Sequence, residues 1–311
     1  MTAARLTAGV TLALAAAGWL LALLAAGAGR LLPPGELTAI PLGLGMSLDI
    51  YLLDLERGLF ANLTRTTAWE GYPALAPDAS RVVFSSFRDG SGELYVQAIG
   101  NRTAQRVTRS IAFDGEAAWS PDGRQIVFVM SDSGLQNLFV SDLAGPPRVL
   151  YRTAGLEASP AWSPDGRHIA FVASRGGDPA DIYLMNADGS GLRPVTRQPG
   201  YDLFPAWSPD GRQLAFASDR GGRLDLYLLA MACLETPAGC TLENPRQLTR
   251  GGVPVEKLWW SPDGARLLYL ERTVGLPEIY AVTIGCDLDA GACTPRPITQ
   301  LRRSLRLARA H

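Results

Sequence analysis

Five carboxylates stand in register along this chain. Glu70, Asp114, Glu157 and Asp202 each lie five residues before a tryptophan or its stand-in (Leu75, Trp119, Trp162, Trp207), and Glu256 lies four before Trp260. Carboxylates at one slot of a repeated unit converge when the units are arranged about an axis. Such a ring would make a negative well at the mouth of a central channel, suited to a basic peptide segment, an arginine-rich tail or a divalent cation. The competing use is local, each carboxylate capping its own turn or pairing with an arginine such as Arg124, Arg167 or Arg212. The expected partner-binding residues are therefore Glu70, Asp114, Glu157, Asp202 and Glu256.

Catalytic chemistry finds little to work with. His168 is the only internal histidine, Lys257 the only lysine, and no Gly-x-Ser-x-Gly nucleophile elbow occurs. No residue set supports nucleophilic or acid–base catalysis, so no catalytic residue, cofactor or metal is expected. A net charge of −1, from 29 basic and 30 acidic residues, lacks the basic excess of a general nucleic-acid binder. Asp287 and Asp289 form either a weak calcium pair or a solvated loop.

The four cysteines fall in two matched pairs, Cys233/Cys240 and Cys286/Cys293, each with six residues between its members. Both pairs occupy one position in consecutive repeat units, between the third and fourth strands. Local disulfides across a lengthened hairpin tip fit that placement. Structural zinc usually leaves two to four residues between ligands, and free thiols are the third possibility. Disulfides accord with an exported protein.

The elements that position these groups are read from a repeat. Trp-Ser-Pro-Asp-Gly occurs at 119–123, 162–166, 207–211 and 260–264, with a degenerate copy, Leu75-Ala76-Pro77-Asp78-Ala79. A second marker follows: an acid or amide, an aliphatic, then an aromatic. It stands at Asp49-Ile50-Tyr51, Glu93-Leu94-Tyr95, Asn137-Leu138-Phe139, Asp181-Ile182-Tyr183, Asp225-Leu226-Tyr227 and Glu278-Ile279-Tyr280. Its aliphatic members are spaced 44, 44, 44, 44 and 53 residues apart. Each unit reads as four short strands: the first ends at the Trp, Ser-Pro-Asp-Gly makes the hairpin, and the fourth ends in pairs such as Val107-Thr108 or Leu248-Thr249. Such units stack radially, and the tryptophans are expected to pack unit against unit, with Trp69 and Trp259 exposed.

Six second markers against five Pro-Asp turns imply that the amino end supplies strands two to four of a sixth unit. Ser304–Ala308 would then return as its innermost strand. The expected fold is an all-β, six-bladed β-propeller over residues 37–311, monomeric, preceded by a linker at 31–36. Residues 1–30 contain an uncharged run from Leu6 to Ala28. Its 23 residues would reach about 34 Å as a helix, enough to span a bilayer. Small residues at its end also suit a cleaved secretory signal. Signal peptide or transmembrane anchor, either places the body outside the cytoplasm.

The Trp-Ser-Pro-Asp-Gly-Arg turn, the Ile-Ala-Phe strand and Asp-Ile-Tyr-Leu-Met resemble the WD40-like (PD40) repeat of TolB propellers. The same repeat is found in the propellers of tricorn and dipeptidyl-peptidase-IV-like proteins. The resemblance covers roughly residues 37–300. It implies a propeller and says little of function, since unrelated activities use the same ring; with no catalytic set and an exported body, the expected role is non-enzymatic, binding an envelope protein in the periplasm or on the membrane. It leaves open a carbohydrate- or peptide-binding sensor using the channel, or a metal-dependent propeller lyase or hydrolase.

Overall fold

The Ser-Pro-Asp-Gly segments fold as the repeat predicts. In the first complete copy Gly123 N–H donates to Ser120 O at 2.8 Å, and Gly123 sits at φ +67°. The Ser120 hydroxyl donates to Asp122 Oδ1 at 2.6 Å and accepts the Gln125 N–H at 2.9 Å. Equivalent bonds recur at Ser163, Ser208 and Ser261. A type I turn closed by a left-handed glycine matches the twist of a hairpin. The turns also nest: an added Cβ on Gly166 would lie 3.8 Å from Pro121 Cδ, and one on Gly211 would lie 3.7 Å from Pro164 Cδ.

The second marker and the terminal threonine form one device. Thr108 Oγ1 donates to Glu93 at 2.7 Å and accepts the Leu94 N–H at 2.9 Å, tying the end of the fourth strand to the start of the third. Thr64 with Asp49, Thr196 with Asp181 and Thr249 with Asp225 repeat the arrangement. A buried threonine between a carboxylate and a backbone amide satisfies donors that would otherwise be desolvated unpaired.

The computed structural model describes residues 37–42, 48–55, 59–132, 134–175, 179–231, 245–271, 277–286, 288–289 and 293–298. These are all strand, turn and loop, with no helix, in a β-propeller arrangement. Five antiparallel meanders begin with the innermost strands Glu70–Leu75, Phe113–Trp119, Leu156–Trp162, Asp202–Trp207 and Val255–Trp260. Each innermost strand packs against that of the next meander. The amino-terminal strands Leu37–Leu42, Asp49–Asp54 and Leu59–Asn62 form a three-stranded sheet beside Glu70–Leu75.

Six separate four-stranded blades are not what hydrogen bonding gives. Among the described residues there are four sheets of four or more strands, one of them eight-stranded, and a fifth of three. The eight-stranded sheet arises because Leu135–Ser141 starts two residues before its marker Asn137. Leu156–Trp162 likewise starts one residue before Glu157, and the two meet in parallel at Gln136 and Leu156. The expected leader and linker at residues 1–36, and the closing segment Ser304–Ala308, lie outside the described residues. Among the described residues no helix is long and apolar enough to cross a membrane.

The core lies between sheets. Phe84, Phe128, Phe171 and Phe216, one from each second strand of four successive meanders, are fully buried. The repeat tryptophans lock neighbours together: Trp119 Nε1 donates to Ala74 O at 3.0 Å, Trp207 to Ala161 O at 3.2 Å and Trp260 to Ala206 O at 3.0 Å. Trp69 and Trp259, expected exposed, are half-buried.

Candidate functional site

Each meander has two ends. One carries the Ser-Pro-Asp-Gly turns. At the other, the first strand begins, the second ends, and the terminal threonine docks on the third. The predicted carboxylates Glu70, Asp114, Glu157 and Asp202 all stand at this second end, in one slot, as the spacing requires. They do not open onto it, because their exposures are 0%, 0%, 0% and 1%.

Each is occupied locally, by groups other than Arg124, Arg167 and Arg212. Arg88 pairs with Glu70, and Arg220 holds both oxygens of Asp202 at 2.9 Å while lying over the rings of Phe216 and Tyr227. Thr153 donates to Glu157 and Ser110 to Asp114, without an arginine bond in either case. The consequence is electrostatic. Burial pushes the Asp114 carboxyl up to about 6, with the Glu93 charge adding to the rise, and burial also raises Glu157.

The fifth predicted acid does not belong to this slot. Val255 begins the last innermost strand, and Glu256 beside it is exposed. The four-residue spacing to Trp260 marked this displacement. A negative well built from Glu70, Asp114, Glu157, Asp202 and Glu256 is therefore replaced by four buried groups and one outlying acid. The basis for a basic peptide partner goes with it.

Two residues after each buried acid the strand bulges, as the shifts in pairing show. Tyr72, Glu116, Ser159 and Phe204 occupy that position at φ 48°, 50°, 48° and 55°. A left-handed conformation at a non-glycine residue is unfavourable, so each side chain is re-aimed at a local cost. Glu116 accepts the Ser159 N–H at 2.6 Å, across to the next meander. Lys257, at the matching place in the fifth meander, donates to Pro73 O at 2.6 Å, and burial lowers its ammonium to about 8.

The same end carries apolar surface. Seven large apolar side chains are exposed among the described residues. Six of them, Tyr72, Phe87, Ile111, Leu135, Leu156 and Tyr201, belong to this end, while Val149 lies on a fourth strand. Tyr72 and Phe87 join Trp69 and Phe113 in one cluster, with ring centroids 5.5 to 6.4 Å apart. Glycines make room for it: a Cβ on Gly71 would lie 2.4 Å from Trp69, and one on Gly92 would lie 2.4 Å from Phe113.

Sequence reasoning also missed an arginine slot. Arg65, Arg109, Arg197 and Arg250 each follow the threonine just past a fourth strand, Arg152 directly follows Tyr151 at the end of another, and all five are exposed at this end. The Thr-Arg pairing in four of the five was its signal. His168, on a second strand, is half-buried, and burial lowers its pKa. Cys286 and Cys293 are disulfide-bonded with Cα atoms 5.1 Å apart, whereas Cys233 and Cys240 lie outside the described residues. Asp289 is exposed and lies 3.6 Å from Arg250; Asp287 is outside the described residues. Among the described residues, no group of three or more His, Cys, Asp or Glu is placed to hold a metal.

No curated protein sequence matches this chain. Among solved structures it is similar to TolB from Acinetobacter baumannii, with TM-score 0.66 and 18% identity, covering 79% of this chain and 60% of that one. It therefore spans less than two thirds of that protein. A TolB candidate from Agrobacterium tumefaciens gives 0.63 and 16%, covering 84% and 89%. A chain of a nidogen/laminin complex gives 0.64 and 13%, covering 86% and 94%. These likenesses concern the fold. The family model for the TolB beta propeller domain matches residues 45–148 and 136–240, which together make 196 of the 311 residues. With its repeated turn, marker and tryptophan lock all serving that architecture, the chain belongs to the TolB beta propeller domain family.

Proposed function

We propose that this chain is an exported, membrane-tethered, non-enzymatic propeller that binds a protein partner through the end where the innermost strands begin. The observation that carries the proposal is the one-sided distribution of exposed large apolar groups: among the described residues, six of seven stand at that end. Apolar side chains gathered on one face of a protein characterise interaction sites.

The ring counts six units in this proposal. Two meanders lie in the eight-stranded sheet, three form sheets of their own, and the three-stranded amino-terminal sheet makes the sixth. Leu37–Leu42 has no described neighbour on its inner side, the place assigned to Ser304–Ala308. Leu37 pairs with Asp54, at the Ser-Pro-Asp-Gly end. In this proposal an amino-terminal anchor adjoins that end, and the apolar end is turned away from the bilayer.

Photocrosslinking amino acids placed at Ile111, Tyr201 and Val149 test this in intact host cells. A protein captured from 111 and 201 but not from 149 is expected. No adduct, or equal capture from 149, overturns the assignment. The mass of the cell-derived chain reads leader cleavage directly.

A further inference from the structure

The chemistry of the partner follows from how charge is divided at the docking end. The acids that the repeat places there are withdrawn: Glu70, Asp114, Glu157 and Asp202 are at most 1% exposed. The arginines are presented instead. Arg65, Arg109, Arg152, Arg197 and Arg250 follow the fourth strands of five successive units, the first of them the three-stranded sheet, and all are exposed. The exposed acids at this end, among the described residues, are Asp89, Glu256 and Asp289; Asp89 lies 3.4 Å from Arg106 and Asp289 lies 3.6 Å from Arg250, which leaves the arginines in excess.

We infer that this end docks an acidic protein segment carrying apolar side chains, its carboxylates meeting the Arg65–Arg109–Arg152–Arg197–Arg250 arc and its apolar groups covering the Trp69–Tyr72–Phe87–Phe113 cluster and Tyr201. The inference rests on the proposed docking end and adds the partner's sign and composition. Arginine is suited to carboxylate recognition by its fixed fork of donors, and interfaces favour arginine beside aromatic residues. Two other anionic surfaces fit less well. A sulfated or uronate glycan makes no use of Ile111, 99% exposed, or of Leu156. An anionic bilayer is disfavoured because Leu37 enters at the opposite end, from which the apolar run Leu6–Ala28 would reach its membrane.

Random copolymers of glutamate and tyrosine serve as the probe, measured on the full chain against poly-glutamate, heparin and phosphatidylglycerol vesicles. The expected result is salt-sensitive binding of the Glu/Tyr copolymer, tighter than poly-glutamate, heparin or vesicles. Replacing Arg65, Arg109 and Arg152 by Gln should weaken it about tenfold, or about 0.5 kcal/mol per arginine. The matched variant of Arg124, Arg167 and Arg212, at the other end with the same change of charge, should shift it less than about twofold. Absence of copolymer binding, equal loss in the two variants, or tighter binding to heparin or vesicles each overturns the inference. A protein crosslinked at Ile111 and Tyr201 without copolymer binding would leave the docking end standing and remove only its acidic partner.

Discussion

Asp114 and Asp202 occupy the same slot in two units and should respond oppositely to the same substitution. Asp114 is fully buried with hydroxyl donors but no arginine bond, and burial pushes its pKa up to about 6. In the unfolded chain an aspartate titrates near 3.9. The unfolded state thus releases its proton first, and native stability falls as pH rises from about 4 through about 6. Once the carboxyl is ionised in both states, above pH 7, a gap of that size between folded and unfolded titration costs the fold about 3 kcal/mol. Asp114→Asn removes that ionisation and keeps an oxygen for the Ser110 hydroxyl. After allowance for a weaker hydrogen bond, it should gain about 1–2 kcal/mol at pH 8 and nothing at pH 4. Asp202→Asn instead strands Arg220, 15% exposed and lying over the rings of Phe216 and Tyr227, and should lose about 3 kcal/mol at pH 8. Urea unfolding of both variants at pH 4, 6 and 8 measures the difference. A loss for Asp114→Asn at pH 8 as large as that for Asp202→Asn would refute the assignment of burial cost to one site and ion pairing to the other.

Three further outcomes follow from the packing. Trp207→Phe deletes the 3.2 Å bond to Ala161 O between neighbouring units and should cost about 1 kcal/mol in urea unfolding beyond the lost ring area; an unchanged midpoint counts against the lock. Gly71→Ala places a methyl 2.4 Å from the Trp69 ring, so it should lower stability by about 1–3 kcal/mol and alter Trp69 fluorescence, whereas an unaltered spectrum means the ring does not lie over the strand. Replacing Cys286 and Cys293 by Ser opens a short loop and should cost about 2–3 kcal/mol, with thermal unfolding as the readout.

Much of the architecture was legible because its signals are backbone requirements. Only glycine sits easily at the left-handed position of the Ser-Pro-Asp-Gly turn, so the turn announces itself at Gly123, Gly166, Gly211 and Gly264. The marker acid and the threonine meet over fifteen residues in one unit, Thr108 with Glu93, and over a longer hairpin in another, Thr249 with Asp225, so their pairing is visible in sequence only once the strands are placed. Fusion of two meanders through Gln136 and Leu156 was not legible, because it depends on strands running one or two residues past their markers.

The carboxylate ring misled for a related reason. A polar residue repeated at the start of every innermost strand has the same spacing whether it faces an opening or is buried in the sheet. Depth decides between the two, and depth is set by partners elsewhere in the unit: Arg88 and Arg220 come eighteen residues after their acids, from the far end of the second strand. The arginine slot inverts the case. An exposed guanidinium adds at most about 1 kcal/mol to folding through surface pairing, so stability gives little reason for Arg65, Arg109, Arg152, Arg197 and Arg250 to recur where they do. Residues that a fold must bury explain themselves by what they hold together. Those it repeatedly exposes beside Tyr72, Ile111 and Tyr201 are accounted for by what docks against them.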